Sequence, residues 1–305
     1  MNVATGNDST GDGSSNAPFR SISKALSVVS SDSSINVATG TYSAATGETF
    51  PMSMVNAVDL IGASYSNTVI DGTVGGTPVI QCVNCPNGSI SGFTVRGSQG
   101  GDNGAGIQLT QSSLSLINLR VTQNRARFQA GGINCGSGSS PLIRNCIVDH
   151  NLYESTFSSS AGGGIAVAGG SPTIENCTIV ANNSDAWGVL VSSGNPTIRN
   201  CIVDNSGRDL SGVTTSMISF CDILGGAFNG TNHCVALDPQ FISAVNSNYH
   251  MILQSPCLNI GTNLPWMNTG LDIDGMPRID NVQKVVDVGA YEAKIPPKGV
   301  IFFMF

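Results

Sequence analysis

Charged residues are scarce in this sequence. They make up 11% of the 305 residues, and the 20 acidic residues outnumber the 13 basic ones without any cluster of lysine and arginine. Proteins that bind nucleic acid or an anionic membrane surface usually present a basic patch. The composition therefore excludes nucleic acid as an expected partner.

Long apolar stretches are missing as well. The longest, GVIFFMF at residues 299–305, is far shorter than the roughly 20 residues that a membrane-spanning helix needs. The first residues, MNVATGND, lack the basic start and the apolar centre of a signal peptide. We expect no membrane span, and the chain is either cytoplasmic or the mature part of an exported protein.

Zinc-type cysteine pairs are also absent. The chain has nine cysteines, an odd number, and Cys82 and Cys85 form a single CxxC with no second pair. A structural zinc site of this type needs four ligands. We therefore expect a structural role for these two residues and no cofactor, apart from the calcium sites considered below.

What the sequence does contain is a repeat. The segments SPLIRNCIVDHN (140–151), SPTIENCTIVANN (171–183) and NPTIRNCIVDNS (195–206) align on Asn145, Asn176 and Asn200. The same slot continues to Gly62, Gly92, Asn118 and Phe220, at spacings of 20 to 31 residues. A glycine-led strand precedes the slot by 12 or 13 residues, so each repeat contains three short strands. Repeats of this length with strand periodicity are typical of solenoids.

We predict an all-β, right-handed parallel β-helix of about seven to nine coils. Alternation points one aliphatic layer per coil toward the axis: Ile165, Val167, Ile174, Cys177 and Ile179. The column Cys146, Cys177, Cys201 and Cys221 is predicted to be a ladder of buried free thiols. The repeated asparagines suit a left-handed bend, with each amide bonding to the asparagine of the next coil.

The two ends of the chain differ from the coils. Residues 1–34 are predicted to form an N-terminal cap with an amphipathic helix that starts near Pro18, and residues 35–225 form the coils. Residues 226–305 are irregular and are predicted to form a C-terminal cap with an apolar tail. Both caps would cover open sheet edges, which otherwise invite aggregation.

Three groups of segments resemble known families. The opening TGNDSTGDGSSNAPFRSISKAL, with INVATGTYS and VDLIGAS, resembles an uncharacterised domain that begins many secreted bacterial parallel β-helix proteins. The closing NYHMILQSPCLNIG, DIDGMPR and VDVGAYE resemble the terminal module of variably anchored surface β-helix proteins, and the GGGI and SPTIENCTI coils resemble pectate-lyase-like repeats. The resemblance implies secretion or display at the cell surface, and on that basis Cys234 and Cys257 are candidates for a disulfide.

Lyases and epimerases of the β-helix type act on uronates with a basic residue and with carboxylates that hold Ca²⁺ around the first-strand face. The corresponding outward positions here are Gln108, Asn134, Ala166 and Leu190. None of them is an acid, a base or a cation ligand. This argues against an enzyme of that kind.

Charged and aromatic residues gather instead in the loops that close the coils. The candidate ligand-binding residues are Arg125, Arg127, Tyr153, Asp185, Trp187, Arg208 and Asp209. His150, flanked by Asp149 and Glu154, is the candidate for acid or base catalysis. Arg144, Glu175 and Arg199 should form a surface ladder of alternating charge.

Calcium is the one cation for which the sequence offers ligands. The carboxylates of Asp8 and Asp12, and of Asp272 and Asp274, are clustered in turn-like segments, although Asx turns explain them equally well.

The sequence thus predicts a secreted or cell-surface β-solenoid with a structural, adhesive or glycan-binding role. Two arrangements are open for its C-terminal strand Gly299–Phe305: it packs on its own solenoid, or it adds to the exposed sheet edge of a neighbouring chain, which would assemble copies head to tail. The alternative is a polysaccharide lyase, epimerase or hydrolase with its site in the coil-closing loops.

Overall fold

The computed structural model describes residues 1–75, 78–101, 106–127, 130–153, 162–182, 185–279 and 284–293. Glu154 and the segment Gly299–Phe305 lie outside these ranges. Within them the chain winds through three parallel sheets, in which strands from successive coils are neighbours. Sheet 1 has seven described strands, and sheets 2 and 3 have eight each. The predicted parallel β-solenoid is confirmed.

Each coil passes through the sheets in the order 1, 2, 3. The strands of sheet 1 are Met52–Ser53, Ile80–Val83, Ile107–Thr110, Ile133–Cys135, Gly162–Gly170, Trp187–Gly194 and Leu210–Ser211. The strands of sheet 2 are Ser33–Val37, Val58–Gly62, Gly88–Ser91, Ser115–Ile117, Leu142–Arg144, Thr173–Glu175, Thr197–Arg199 and Ile218–Ser219. The strands of sheet 3 are Gly40–Ser43, Thr68–Asp71, Thr94–Arg96, Arg120–Thr122, Ile147–Asp149, Thr178–Val180, Ile202–Asp204 and Asp222–Ile223.

The remaining described elements lie at the edges of the solenoid. The α-helix is Ile22–Val28, and the 3₁₀ helices are Ala44–Thr46, Ala244–Asn246 and Pro265–Asn268. A short parallel sheet, sheet 4, joins Gln99–Gly101, Arg125–Ala126 and Leu152–Tyr153. Phe241–Ser243 and Asn248–Met251 form an antiparallel hairpin.

The core follows from strand alternation. In sheet 2 the residue that points inward is aliphatic in every strand and stacks in register: Ile35, Leu60, Ile90, Leu116, Ile143, Ile174, Ile198 and Ile218. All eight are buried in one hydrophobic cluster. Each such side chain contributes about 1.5–3 kcal/mol on burial. The inward residues predicted for the coil from Ile165 to Ile179 belong to the same cluster.

The N-terminal helix, Ile22–Val28, packs its buried residues Ile22, Ala25 and Leu26 into the inner core, and it starts later than Pro18. Ser21 is its N-cap, and the Ser21 hydroxyl accepts a hydrogen bond from the Lys24 amide. The carboxylate of Glu48 accepts the amides of Ile22 and Ser23 at 2.7 and 2.8 Å, which satisfies two further donors of the first turn. The helix therefore begins where side-chain acceptors are available.

The C-terminal part of the chain covers more than the end of the solenoid. Phe228 and Cys234 pack against the end of the inner core, as a cap would. From Leu237 onward, however, the chain lies against the outer face of sheet 3, where Tyr249, Ile273 and Val288 share a second cluster with Ile147, Val180 and Ile202. Residues 237–279 and 284–293, named the lateral segment here, therefore run along the outer face of the solenoid at sheet 3, which is named the wall.

The thiol column is present and is one member longer than predicted. Cys146, Cys177, Cys201 and Cys221 are buried in the inner core, and the bridge between Asp222 and Val235 places Cys234 next to Cys221. Cys257 lies in the outer cluster, where its thiol donates to Asp222 at 3.2 Å. All nine cysteines are free. The structure therefore does not form the predicted Cys234–Cys257 disulfide, because the two residues are on opposite sides of sheet 3.

The repeated asparagines occupy the left-handed bend that was predicted, with φ of 51° at Asn145, 52° at Asn176 and 54° at Asn200. Their amides do more than bond to one another. Asn200 Nδ2 lies 3.4 Å from Asn176 Oδ1, but it also donates to the Thr262 carbonyl at 2.9 Å, and Asn145 donates to the Leu271 carbonyl at 2.7 Å. These side chains thus hold the lateral segment.

A continuous asparagine ladder exists at a different bend, after sheet 3. Asn124 Nδ2 donates to Asn151 Oδ1 at 3.1 Å, and Asn151 Nδ2 donates to Asn182 Oδ1 at 3.0 Å. All three side chains are buried. The predicted asparagine bond between coils is therefore present from Asn200 to Asn176, and the sequence analysis did not predict the additional ladder after sheet 3.

Candidate functional site

On the outer face of sheet 1, the residues that stack in register at the middle of the described strands Ile80–Val83 to Trp187–Gly194 are all uncharged. The register places Gln81, Gln108, Asn134, Ala166 and Leu190 side by side. This is the column in which a uronate-degrading enzyme of this fold would be expected to hold its catalytic groups. Charged side chains lie instead on sheets 2 and 3 of the described solenoid.

The charge ladder on sheet 2 is formed as predicted but is not a surface feature. Arg144 and Arg199 contact opposite oxygens of Glu175 at 2.5 and 2.8 Å, and the Glu175 side chain has no exposed surface. Arg144 also stacks on the ring of Trp266 from the lateral segment, 4.1 Å from its centroid. The ladder is a structural ion-pair network beneath the lateral segment.

The candidates in the coil-closing loops separate into two regions. Arg125 and Tyr153 lie in sheet 4, while Arg127 and Asp185 are exposed. Arg208 lies over the Trp187 ring at 5.6 Å. Tyr153 packs against Ala186, which lies between Asp185 and Trp187 in the sequence, so several of these positions lie close together where sheet 4 meets sheet 1.

Asp209, also a ligand-binding candidate, is buried and structural. Its carboxylate accepts the amides of Asn205 and Gly225 at 2.7 and 2.6 Å.

Asp149 and His150 lie in the second region, at sheet 3. There the lateral segment and the outer face of sheet 3 enclose a cleft of about 290 Å³. The cleft is lined by Tyr65, Arg120, Asn248, His250 and Tyr291, with Ser66, Thr94, Ile147 and Ser247. We name it the Arg120 cleft. Its residues come from three strands of sheet 3, from the turn before the sheet 3 strand Thr68–Asp71, and from the lateral segment.

Asp149 does not line the cleft itself but holds the lining residue Arg120 in place. It accepts Arg120 Nε and Nη2 at 3.0 and 2.6 Å and the Tyr249 hydroxyl at 3.0 Å, and His150 Nδ1 lies 2.8 Å away. Burial alone would raise the pKa of Asp149, but the hydrogen bonds from His150 and Arg120 and the arginine charge lower it to about 2. Asp149 is therefore an ionised structural partner.

A second carboxylate, that of Asp274, orients the lining residues Tyr65 and His250. Asp274 accepts the Tyr65 hydroxyl at 2.8 Å, and His250 Nε2 lies 2.7 Å from its other oxygen. The hydrogen bond with His250, followed by that with Tyr65, lowers the pKa of Asp274 against the opposing effect of burial. His250 also stacks on Tyr291 with centroids 3.9 Å apart, so the aromatic lining is held in place from several sides.

The phenols of the cleft are neutral at ordinary pH. Burial raises the pKa of Tyr291 to about 12, and burial together with Tyr291 raises the pKa of Tyr65. Neither phenol is thus a base, and neither Asp149 nor Asp274 is a protonated acid. The cleft offers aromatic faces, the Arg120 guanidinium and the Asn248 amide, which are groups that can contact a polar ligand.

The calcium candidates are engaged in local hydrogen bonds. Asp8 accepts the amides of Arg20 and Ser21 and the Ser21 hydroxyl, and Asp12 accepts the amide of Ser14. Asp272 accepts the amides of Asp274, Met276 and Glu292, while Asp274 belongs to the Arg120 cleft. Among the described residues, no group of three or more His, Cys, Asp or Glu side chains is arranged to hold a metal ion.

Sequence reasoning did not identify the five principal lining residues. Tyr65, Arg120 and Tyr291 are separated by up to 226 positions, and nothing in their local patterns links them. NYH at 248–250 and GAY at 289–291 belong to the closing segments that carry the family resemblance. The polar aromatic side chains of these segments were the sequence feature that could have indicated a binding site.

Comparisons with known proteins bear on the fold and the family. No described helix has the length and apolar character that crossing a membrane requires. No curated protein matches the sequence. The chain is similar to the crystal structure of pectate lyase Pel9A, with 15% identity over 95% of each chain and a TM-score of 0.43. A family model described as "Protein of unknown function (DUF1565)" matches residues 4–236, most of the sequence, and the chain therefore belongs to the DUF1565 family.

Proposed function

We propose that this protein is an exported β-solenoid that binds a glycan in the Arg120 cleft without cleaving it. The observation that carries this proposal is the character of the lining: two tyrosines, a histidine, an arginine and an amide, with both neighbouring carboxylates ionised and held by wall residues. Sugars are commonly bound by aromatic faces together with a few well-placed polar groups.

The size and rigidity of the cleft agree with such a ligand. Its volume of about 290 Å³ lies at the lower end of small-molecule sites and suits a short stretch of a glycan. The Tyr65 hydroxyl is 3.1 Å from that of Tyr291, and Asn248 Oδ1 is 2.7 Å from His250 Nδ1. Because these contacts fix the side chains before a ligand arrives, little entropy is lost on binding.

Export is part of this proposal and is supported by the family resemblance. The free thiols are compatible with an oxidising compartment, because all nine are buried and burial limits the access of an oxidant.

A second candidate function is polysaccharide cleavage, and one observation favours it. His150 is 41% exposed, and its Nδ1 lies 2.8 Å from the buried Asp149. A carboxylate that orients an imidazole is a common arrangement in general acid and base catalysis. Cleavage would use His150 on the edge of the wall.

The binding proposal can be tested with a panel of neutral and uronate polysaccharides by isothermal titration calorimetry. Asn248→Ala should weaken binding at least tenfold, which corresponds to about 1.4 kcal/mol. Asn246→Ala is the matched control, because Asn246 is exposed in the same hairpin and bonds only to Ser243 in the described contacts. Equal affinities of the two variants, or no binding across the panel, would contradict the proposal.

The same polysaccharides distinguish binding from cleavage. The proposal predicts no unsaturated-product absorbance and no new reducing ends. Cleavage that disappears in His150→Ala would establish the second candidate instead.

A further inference from the structure

A groove on the outer side of the lateral segment is apolar and exposed. Its volume is about 550 Å³, and it is lined by Ile242, Met251, Ile252, Leu253, Met276 and Ala293, with His250, Asp274, Tyr291 and Glu292 also contributing. We name it the Ile242 groove. The side chains of Ile242, Leu253 and Ile252 are 57%, 51% and 37% exposed. Apolar residues clustered in this way usually mark a surface that binds another segment.

The position at which the described chain stops indicates the occupant. Ala293, the last described residue, itself lines the groove. The sequence continues as KIPPKGVIFFMF, in which residues 299–305 carry no charge and include six large apolar side chains. Five residues separate Ala293 from Gly299, and an extended connection of that length reaches about 20 Å. The apolar residues are thus within reach of the groove.

Charge is also complementary. Asp274, whose side chain is 34% exposed, contributes a carboxylate to the groove, and the connecting residues include Lys294 and Lys298 but no acidic residue. A tethered segment meets the groove at an effective concentration in the millimolar range, which a second molecule at micromolar concentration does not match.

We propose that the Ile242 groove binds the segment Gly299–Phe305 of the same chain. The proposal is independent of glycan binding, although the groove and the Arg120 cleft share His250 and Tyr291. Of the two arrangements that the sequence leaves open, it selects the intramolecular contact, which covers the exposed apolar side chains of the lateral segment.

Engineered cysteines provide the test, because all nine native thiols are buried. The variant Leu253→Cys with Met304→Cys is treated with diamide, which removes two electrons and two protons as one S–S bond forms. The product is analysed by non-reducing electrophoresis and peptide mass mapping. We expect a cross-link between positions 253 and 304 within one chain.

The matched control is Val245→Cys with Met304→Cys. Val245 is 88% exposed in the same hairpin region but does not line the groove. It should cross-link at least tenfold more slowly. A cross-link only between two chains would show that a second copy is the occupant, and equal rates for both variants, or no cross-link at all, would also overturn the proposal.

Discussion

Replacing Asp149 by asparagine tests whether the lateral segment is anchored to the wall through this carboxylate. The substitution keeps the shape of the side chain and removes its charge. In the native protein the fully buried carboxylate holds Arg120 by two hydrogen bonds and contacts His150 and Tyr249 as well. The variant leaves the Arg120 guanidinium without its counter-ion at the base of the cleft.

The expected loss follows from the lowered pKa. A shift from 3.8 to about 2 corresponds to about 2.4 kcal/mol of stability when Asp149 is ionised. Removing one member of a buried ion pair costs about 3–5 kcal/mol. Because the Arg120 side chain is 27% exposed, water compensates part of that cost. We therefore expect Asp149→Asn to lower the free energy of unfolding by about 2–3 kcal/mol at pH 7.

The pH dependence has a defined sign. The folded-state pKa of Asp149 is below its unfolded value, so this stability is present above about pH 4 and is lost as the pH falls through about 2. The difference between wild type and variant should therefore be largest at pH 6–7. At pH 3 it should be about half as large.

Urea unfolding followed by tryptophan fluorescence at pH 7 and pH 3 measures both quantities. Asp32→Asn is the control, because Asp32 is exposed and has a positive φ of 60° that asparagine also tolerates. That variant should stay within about 0.5 kcal/mol of the wild type. The reasoning fails if Asp149→Asn behaves like Asp32→Asn at pH 7, or if its deficit is the same at both pH values.

Two further predictions concern buried groups. Ellman's reagent should titrate nine thiols per chain in guanidinium without reductant, and almost none in the native protein, because all nine are free and buried. A count of seven in guanidinium would instead indicate that Cys234 and Cys257 form a disulfide. Burial raises the pKa of Asp222 to about 6, so its contribution to stability is present below about pH 4 and is lost as the pH rises through 6. Asp222→Asn should accordingly gain about 2 kcal/mol in the free energy of unfolding relative to wild type as the pH rises from 4 to 7. Urea unfolding measures this difference, and a relative gain toward low pH would contradict the reasoning.

The coil architecture was predictable because it is repeated locally. Ile143, Ile174 and Ile198 stack in register. The same alternation of inward apolar and outward polar residues surrounds each of them in the sequence. Arg144 and Glu175 fall into the next positions of the same register. In such a repeat the register between neighbouring coils can be predicted, because each strand pairs with an equivalent strand in the preceding coil.

The cleft was not predictable by the same reasoning. Its lining depends on where the lateral segment docks, and that segment has no repeat that would give a register. The predicted cap at residues 226–305 assumed that irregular sequence belongs at the end of a solenoid. Val180 and Ile202 point outward from sheet 3 and are nevertheless buried, which only an external partner explains.

The lateral segment also changes how the solenoid should unfold. In a repeat protein each coil contacts its neighbours, and stability accumulates coil by coil. The segment contacts Tyr65, Asp149, Thr178 and Asn200, which lie in different coils, through direct hydrogen bonds. Loss of one coil therefore weakens the docking that the others share, and we expect these coils to unfold as one cooperative unit. Because the Arg120 cleft exists only while the segment is docked, a ligand that binds there stabilises the docked state by linkage.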